Sequence, residues 1–281
     1  MLPKQEKKYI ENALFISYTA LKDFQRCPRA YYLKNRYRDP KSGYRLQIAS
    51  EAMTLGSVVH DTIKWFLQTN RLATKEDLIK KYRNNWLKYR GKRGGFKSDE
   101  DEAVFGKKGL QILDSFFDNR ANLVPNLPAY DFLKFLIDGK IVLNGKIDFL
   151  GVLPDGSLHV VDFKTGRKEE EDSLQLHIYA ILAESNFQKA VSKISYWYLE
   201  REDFPKEAVL DPLEGKLEWI KNKALEINDA IKEDNWVCIE GDNQYNECRS
   251  YQAIIDGKGE FQFADDDFKK NVYFLDQTKL V

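Results

Sequence analysis

The chain has 281 residues, 43% hydrophobic and 13% aromatic, enough to bury a sizeable core. Lys plus Arg and Asp plus Glu are both 44, so any nucleic-acid binding must come from a local patch and not from an overall basic charge. Neither an apolar run of membrane-spanning length nor a basic-apolar leader stands out, and three cysteines cannot build a disulfide framework, so a reducing cytoplasm is the expected compartment.

Residues 1–12, "MLPKQEKKYIEN", read as a polar tail. "ISYTALKDFQRCPRAYYLKNRY" follows as two short helices. Ser17 or Thr19 can cap the first, Leu21 and Phe24 begin its apolar stripe, and Pro28 suits the first turn of the second, with Cys27 near its cap. "TLGSVVHDTIKWFLQ" predicts a helix opening at Thr54, with Leu55, Val58, Val59, Ile63 and Phe66 on its buried side. Residues 75–124 read as helical with one interruption at Gly94-Gly95. Within them, residues 80–97 carry eight basic residues among Trp and Tyr, then meet the acidic "SDEDE". That tract fits either a phosphate-tracking surface whose rings stack on bases or a solvated helix face with compensating acids.

From about residue 130 the pattern switches to strands: "DFLKFLI", "KIVLNGKIDFLGVL" and "SLHVVDFKTG". Alternation places Asp162 and Lys164 on one face of the last strand, with Phe163 on the other. The turn "PDG" at 154–156 fits a three-residue hairpin loop with Gly156 in the left-handed position. That register pairs Leu153 with Ser157 and brings Asp148 opposite Asp162. A two-residue Asp-Gly turn would set Asp148 opposite Phe163 instead. Asp162 and Lys164 alone fit an ordinary surface ion pair. Two facing carboxylates repel if buried, whereas a divalent cation such as Mg2+ or Mn2+ would turn them into a site for phosphodiester hydrolysis, with Lys164 on the water or the phosphate.

"EDSLQLHIYAILAES" predicts a helix with a capping box from Asp172 to Gln175, and with Gln175 and Tyr179 one turn apart. A strand, "KISYWYLE", precedes an amphipathic helix capped at Asp211, with Leu213, Leu217, Ile220, Ala224, Ile227 and Ile231 inward. His159 and His177 read as structural. The order of elements predicts an α/β (α+β) fold.

These motifs together resemble the RecB-type branch of the PD-(D/E)XK nuclease superfamily, which includes helicase-linked recombination nucleases and the exonucleases of CRISPR spacer acquisition. The N-terminal helices, "GSVVH" (Gly56 to His60), "GKID", "DFKTG" and "QLHIY" occur in that family's order. The resemblance implies a restriction-endonuclease-like core: a small mixed sheet flanked by helices, in a single nuclease domain over 1–281. A helical insertion would occupy about 66–130 and a helical or irregular segment about 205–281. It implies His60, Asp148, Asp162 and the Phe163 carbonyl as metal ligands and Lys164 as the catalytic lysine. Gln175 and Tyr179 would bind substrate. The activity implied is a metal-dependent deoxyribonuclease using Mg2+ or Mn2+, an exonuclease on single strands or DNA ends in recombination, repair or phage replication. A structure-selective endonuclease and a silent DNA-binding scaffold are the alternatives. Its partners would be DNA and a helicase or recombinase, with no membrane. Many relatives hold an iron–sulfur cluster with four cysteines. Here Cys27 stands in the first place, Tyr245 replaces a partner of Cys248, and Cys238 lies ten residues upstream, so no cluster is expected. Trp236, Tyr245 and Tyr251 are instead expected to pack the C-terminal segment on the N-terminal helices.

Overall fold

A computed structural model describes residues 13–69, 71–127, 132–241 and 245–279, so the polar tail at 1–12 lies outside the described residues. The helices are α1 (Tyr18–Arg26), α2 (Pro28–Tyr31), α3 (Glu51–Gln68), α4 (Lys75–Trp86), α5 (Asp99–Asn119), α6 (Leu174–Phe187), α7 (Leu213–Glu233) and α8 (Asn246–Ile255). The strands are β1 (Leu14–Ile16), β2 (Arg45–Ile48), β3 (Leu133–Asp138), β4 (Ile141–Gly145), β5 (Phe149–Val152), β6 (Leu158–Lys164), β7 (Val191–Tyr198), β8 (Lys206–Ala208), β9 (Glu260–Asp265) and β10 (Lys270–Phe274). This is a mixed α/β fold of restriction-endonuclease-like type. The chain forms two compact units.

The first unit comprises Met1–Tyr18, Val59–Tyr82 and Gly109–Asn228. It contains two small sheets, ordered β1-β4-β3 and β5-β6-β7-β8. The strand expected over "KIVLNGKIDFLGVL" divides in two: after Gly145 the chain leaves the first sheet, and at Phe149 it joins the second. Helix α6 carries the chain from β6 to its parallel neighbour β7, the crossover that parallel pairing requires. It touches β3 and β4 of one sheet and β6 and β7 of the other. That explains why Leu176–Ser185 is buried without a break instead of showing one wet face. The hairpin between β5 and β6 has the expected three-residue turn: Leu153 N–H donates to Ser157 O at 2.9 Å, and Gly156 adopts φ of 84°. Paired residue numbers stay in step from Val152↔Leu158 to Phe149↔Val161.

On the face of β6 away from Asp162, the Phe163 ring meets Phe116, Phe149 and Trp197 at centroid distances of 5.8, 6.5 and 5.9 Å. Burial of rings this size stabilises by roughly 1.5–3 kcal/mol each. His159 bonds Ser195 Oγ through Nε2 at 2.8 Å, and burial, first among its influences, drops its pKa to about 4. His177 donates from Nδ1 to Ser173 O and accepts the Asp211 N–H on Nε2 at 3.0 Å. Both histidines therefore serve structure.

The second unit comprises Thr19–Val58, Arg83–Lys108 and Asp229–Val281. Two expectations change here, and one open alternative narrows. Helix α3 opens at Glu51 and not at Thr54, because Ser50 Oγ accepts the Met53 N–H at 3.3 Å; Thr54 instead donates its hydroxyl to Gly94 O at 2.9 Å. Of the two readings of the basic tract the solvated face has the more support: Trp86 and Phe96 are buried against each other at 5.5 Å, and Trp86 Nε1 donates to Glu102. Arg90 and the Gly91 N–H converge on the same carboxylate, so the acids after the tract do compensate it. The C-terminal segment is not only helical or irregular, since β9 and β10 form a hairpin whose β10 pairs parallel with β2. The expected packing through aromatics is present, with Trp236 at 5.9 Å from Tyr31 and 5.1 Å from Tyr32, and with Tyr245 and Tyr251 against a buried cluster. Cys238, set aside for its spacing, joins Cys27 and Cys248 in that cluster.

Candidate active site

Strand β6 ends with Asp162 and Lys164 on one face, their carboxylate and ammonium 3.1 Å apart. Continuing the β5–β6 ladder one step beyond Phe149↔Val161 puts Asp148 opposite Asp162, as the turn requires. Asp148 sits at the bend between the two sheets of its unit. One of its carboxylate oxygens accepts the Phe163 N–H at 3.0 Å, and the other meets His60 Nδ1 at 2.9 Å. His60 comes from α3, whose apolar stripe of Val59, Ile63 and Phe66 orients the half-buried imidazole.

Gln175 stands in the first turn of α6 and touches two of these groups and Tyr179. Its amide oxygen accepts from Lys164 Nζ at 2.8 Å, while its Nε2 donates to Asp162 Oδ1 at 2.9 Å and to the Tyr179 hydroxyl at 3.0 Å. The expected capping box is not formed, because this amide is committed to β6 and the N-cap is Ser173, without a side-chain cap bond; Asp172, one residue before it, accepts the Leu174 N–H at 3.0 Å. Gly145 lets α6 come this close to β4. A Cβ there would lie 2.9 Å from Leu182 Cδ1 and 3.2 Å from Tyr179 Cε1. Two further groups escaped the sequence reading. Glu170 reaches Lys164 Nζ at 2.9 Å, and the Tyr196 ring lies 5.0 Å from it. Period two along β7 places Tyr196 and Tyr198 on one face, a usable signal. Nothing in "RKEEED" singles out Glu170 from its acidic neighbours.

The electrostatics follow from burial and crowding. Burial raises the Asp162 carboxyl, the Asp148 charge raises it further, and Lys164 only partly offsets this, leaving it near 7. Burial acts on Asp148 in the same sense, but His60 outweighs it and the net shift is downward. Burial alone would lower His60 and Lys164; Asp148 reverses the first, and Asp162 with Glu170 the second, so both pKa values move upward. The Asp148 charge still works against ionising Asp162 beyond what Lys164 offsets, so further positive charge at this point would favour two carboxylates. Buried carboxylate oxygens with one imidazole are donors that fit Mg2+ or Mn2+, the nitrogen favouring the latter. Beside Asp148 a narrow cleft is lined by Lys64, Gln68, Asn126 and Ile147.

The family model of the PD-(D/E)XK nuclease superfamily matches residues 16–251. The chain belongs to the PD-(D/E)XK nuclease superfamily. Superfamily members typically use Mg2+ or Mn2+, in keeping with the donor set of this chain. A search of curated proteins finds no match. Among the described residues no helix is long and apolar enough to cross a membrane.

Proposed function

We propose that the protein is a metal-dependent deoxyribonuclease of the RecB-type branch, acting as an exonuclease on single strands or DNA ends in recombination, repair or phage replication. The observation that carries the reading is the convergence of Asp148, Asp162, Lys164 and Gln175 at the end of β6. His60, Asp148, Asp162 and the Phe163 carbonyl are the ligands assigned to the metal. Bound there, Mg2+ or Mn2+ supplies Lewis-acid polarisation of a phosphoryl oxygen and a water of lowered pKa.

The protein's own groups do the rest. Lys164 is kept cationic by Asp162 and Glu170, so it is suited to stabilising negative charge on phosphorus and poorly suited to taking a proton. Gln175 fixes the lysine against Asp162, and Tyr179 fixes Gln175 from one turn along the helix. The Phe163–Trp197 side of the sheet is closed by aromatic rings, so the reacting groups are all on the opposite face of β6, toward α6. Lys64 and Gln68, on the α3 side of the cleft, are placed to meet phosphate and sugar oxygens.

The test is cleavage of end-labelled linear DNA and covalently closed circles, single- and double-stranded, with Mg2+, Mn2+ or EDTA, beside Lys164→Ala. Metal-dependent loss of linear DNA alone, reduced at least a hundredfold by the variant, is the expected result. Cutting of circles would make it an endonuclease. Full activity in Lys164→Ala would refute the site, and DNA binding without cleavage under every condition would favour a scaffold.

A further inference from the structure

All three cysteines of the chain meet at one buried point. Cys27 stands immediately before α2, Cys248 lies in the first turn of α8, and Cys238 lies in the connection between α7 and α8. The three sulfurs lie within 4.8 Å of one another, and Cys27 and Cys248 Sγ are 3.5 Å apart. A free cysteine is commonly just a small buried hydrophobe. Three of them from three separate segments, edge to edge, are harder to explain by packing alone.

The spacing discriminates among the things thiols do. A disulfide would use two sulfurs and strand the third. A [4Fe–4S] cluster takes four protein ligands, each on its own iron, which spreads the ligating sulfurs apart, and a [2Fe–2S] cluster takes four, two on each iron; this chain has three cysteines, and their sulfurs are close together. Neither cluster fits. Around a single tetrahedral zinc, with Zn–S about 2.3 Å, ligand sulfurs lie about 3.8 Å apart, which is the scale seen here. We propose that Cys27, Cys238 and Cys248 bind one Zn2+ ion through three thiolates, with a fourth position left to water or an exogenous ligand.

The surroundings suit that ion. Ala30 and Leu33 lie in the same buried cluster, with Tyr32, Tyr245, Tyr251 and Ile255 packed against it. Burial works against ionising Cys238, but the backbone N–H groups of Tyr245 and Glu240 bond its sulfur, the other two cysteines add to this, and the net shift is downward; burial and its two cysteine neighbours push the Cys248 thiol up, so a bound cation is what would ionise it. Backbone N–H donors on a ligand sulfur orient it and favour the thiolate. The site would staple Cys27 to Cys248, 221 residues later, and none of its residues belongs to the proposed nuclease centre.

Elemental analysis of the full chain, purified without chelator, tests the assignment. About one zinc per chain is expected, falling below about a tenth in Cys27→Ser and Cys248→Ser. Cobalt titration of the zinc-depleted wild type keeps the test independent of whether the variants fold. It should give intense thiolate-to-cobalt charge-transfer absorption and tetrahedral visible bands at one equivalent. Any of three results would overturn the assignment: no metal with three freely reactive thiols and no cobalt bands, iron with matching sulfide, or a mass two hydrogens low without reductant.

Discussion

Asp162 offers a sharp test, because the reading makes its charge a burden on the empty fold. Its carboxyl rises from 3.8 to near 7, first through burial and then through Asp148. A raised carboxyl pKa contributes stability that is complete below the unfolded value and lost as pH rises through the folded one. The window is therefore about pH 4 to 7, and above it the charge costs up to about 4 kcal/mol at 1.36 kcal/mol per pH unit. Asp162→Asn removes that charge but keeps an oxygen for Gln175 Nε2. It also turns an amide donor toward Lys164 Nζ, forfeiting a charge-assisted bond of about 1.5–3 kcal/mol. The net expectation is a gain of about 2 kcal/mol near pH 8, or roughly 4 °C in Tm for a chain of this size, with cleavage abolished. Thermal unfolding in EDTA near pH 8 and pH 5 measures it, and the advantage should at least halve at the lower pH. An Asp162→Asn protein no more stable than wild type near pH 8, or one with an equal advantage at both values, would refute the account of the buried pair.

Gln175→Ala should lower kcat about 10- to 100-fold while DNA binding persists, since the amide orients Lys164 and Asp162; steady-state kinetics with a binding control decide it, and unchanged turnover would remove the clamp from the mechanism. Phe116→Ala should cost about 3–5 kcal/mol in chemical denaturation, because the ring is fully buried between Phe66, Phe163 and Trp197. A loss below about 1 kcal/mol would mean that the aromatic side of β6 is not the packed layer described.

How much of this was legible depended on the range of the interaction. The juxtaposition of Asp148 and Asp162 is readable because a local turn transmits its geometry step by step along a ladder, and the pairing of Val152 with Leu158 is set by three residues of turn chemistry. The stripe of Leu55, Val58, Val59, Ile63 and Phe66 was readable for the same reason, being periodic within one helix. Where recognition spans the chain, the pattern gave no warning. Strand β2 is four residues long and pairs with β10 over two hundred positions later. Cys238 lies ten residues before Cys248 along the chain, a spacing that hides their proximity, yet the three cysteine sulfurs meet in space. Glu170 was invisible because its partner, Lys164, selects it from a run of acids by geometry alone.

The three-residue turn between β5 and β6 has a consequence for heredity. Side chains on a strand alternate faces, so adding or removing one residue at Pro154–Gly156 would move Asp162 to the opposite side from Asp148 unless the ladder bulged to absorb it. Such a protein would keep its composition, its core residues and every acid and lysine of the site, yet the two carboxylates would no longer meet. Selection on this hairpin should therefore act on length more strictly than on identity: substitutions at Asp155 can be tolerated where a single inserted codon is not.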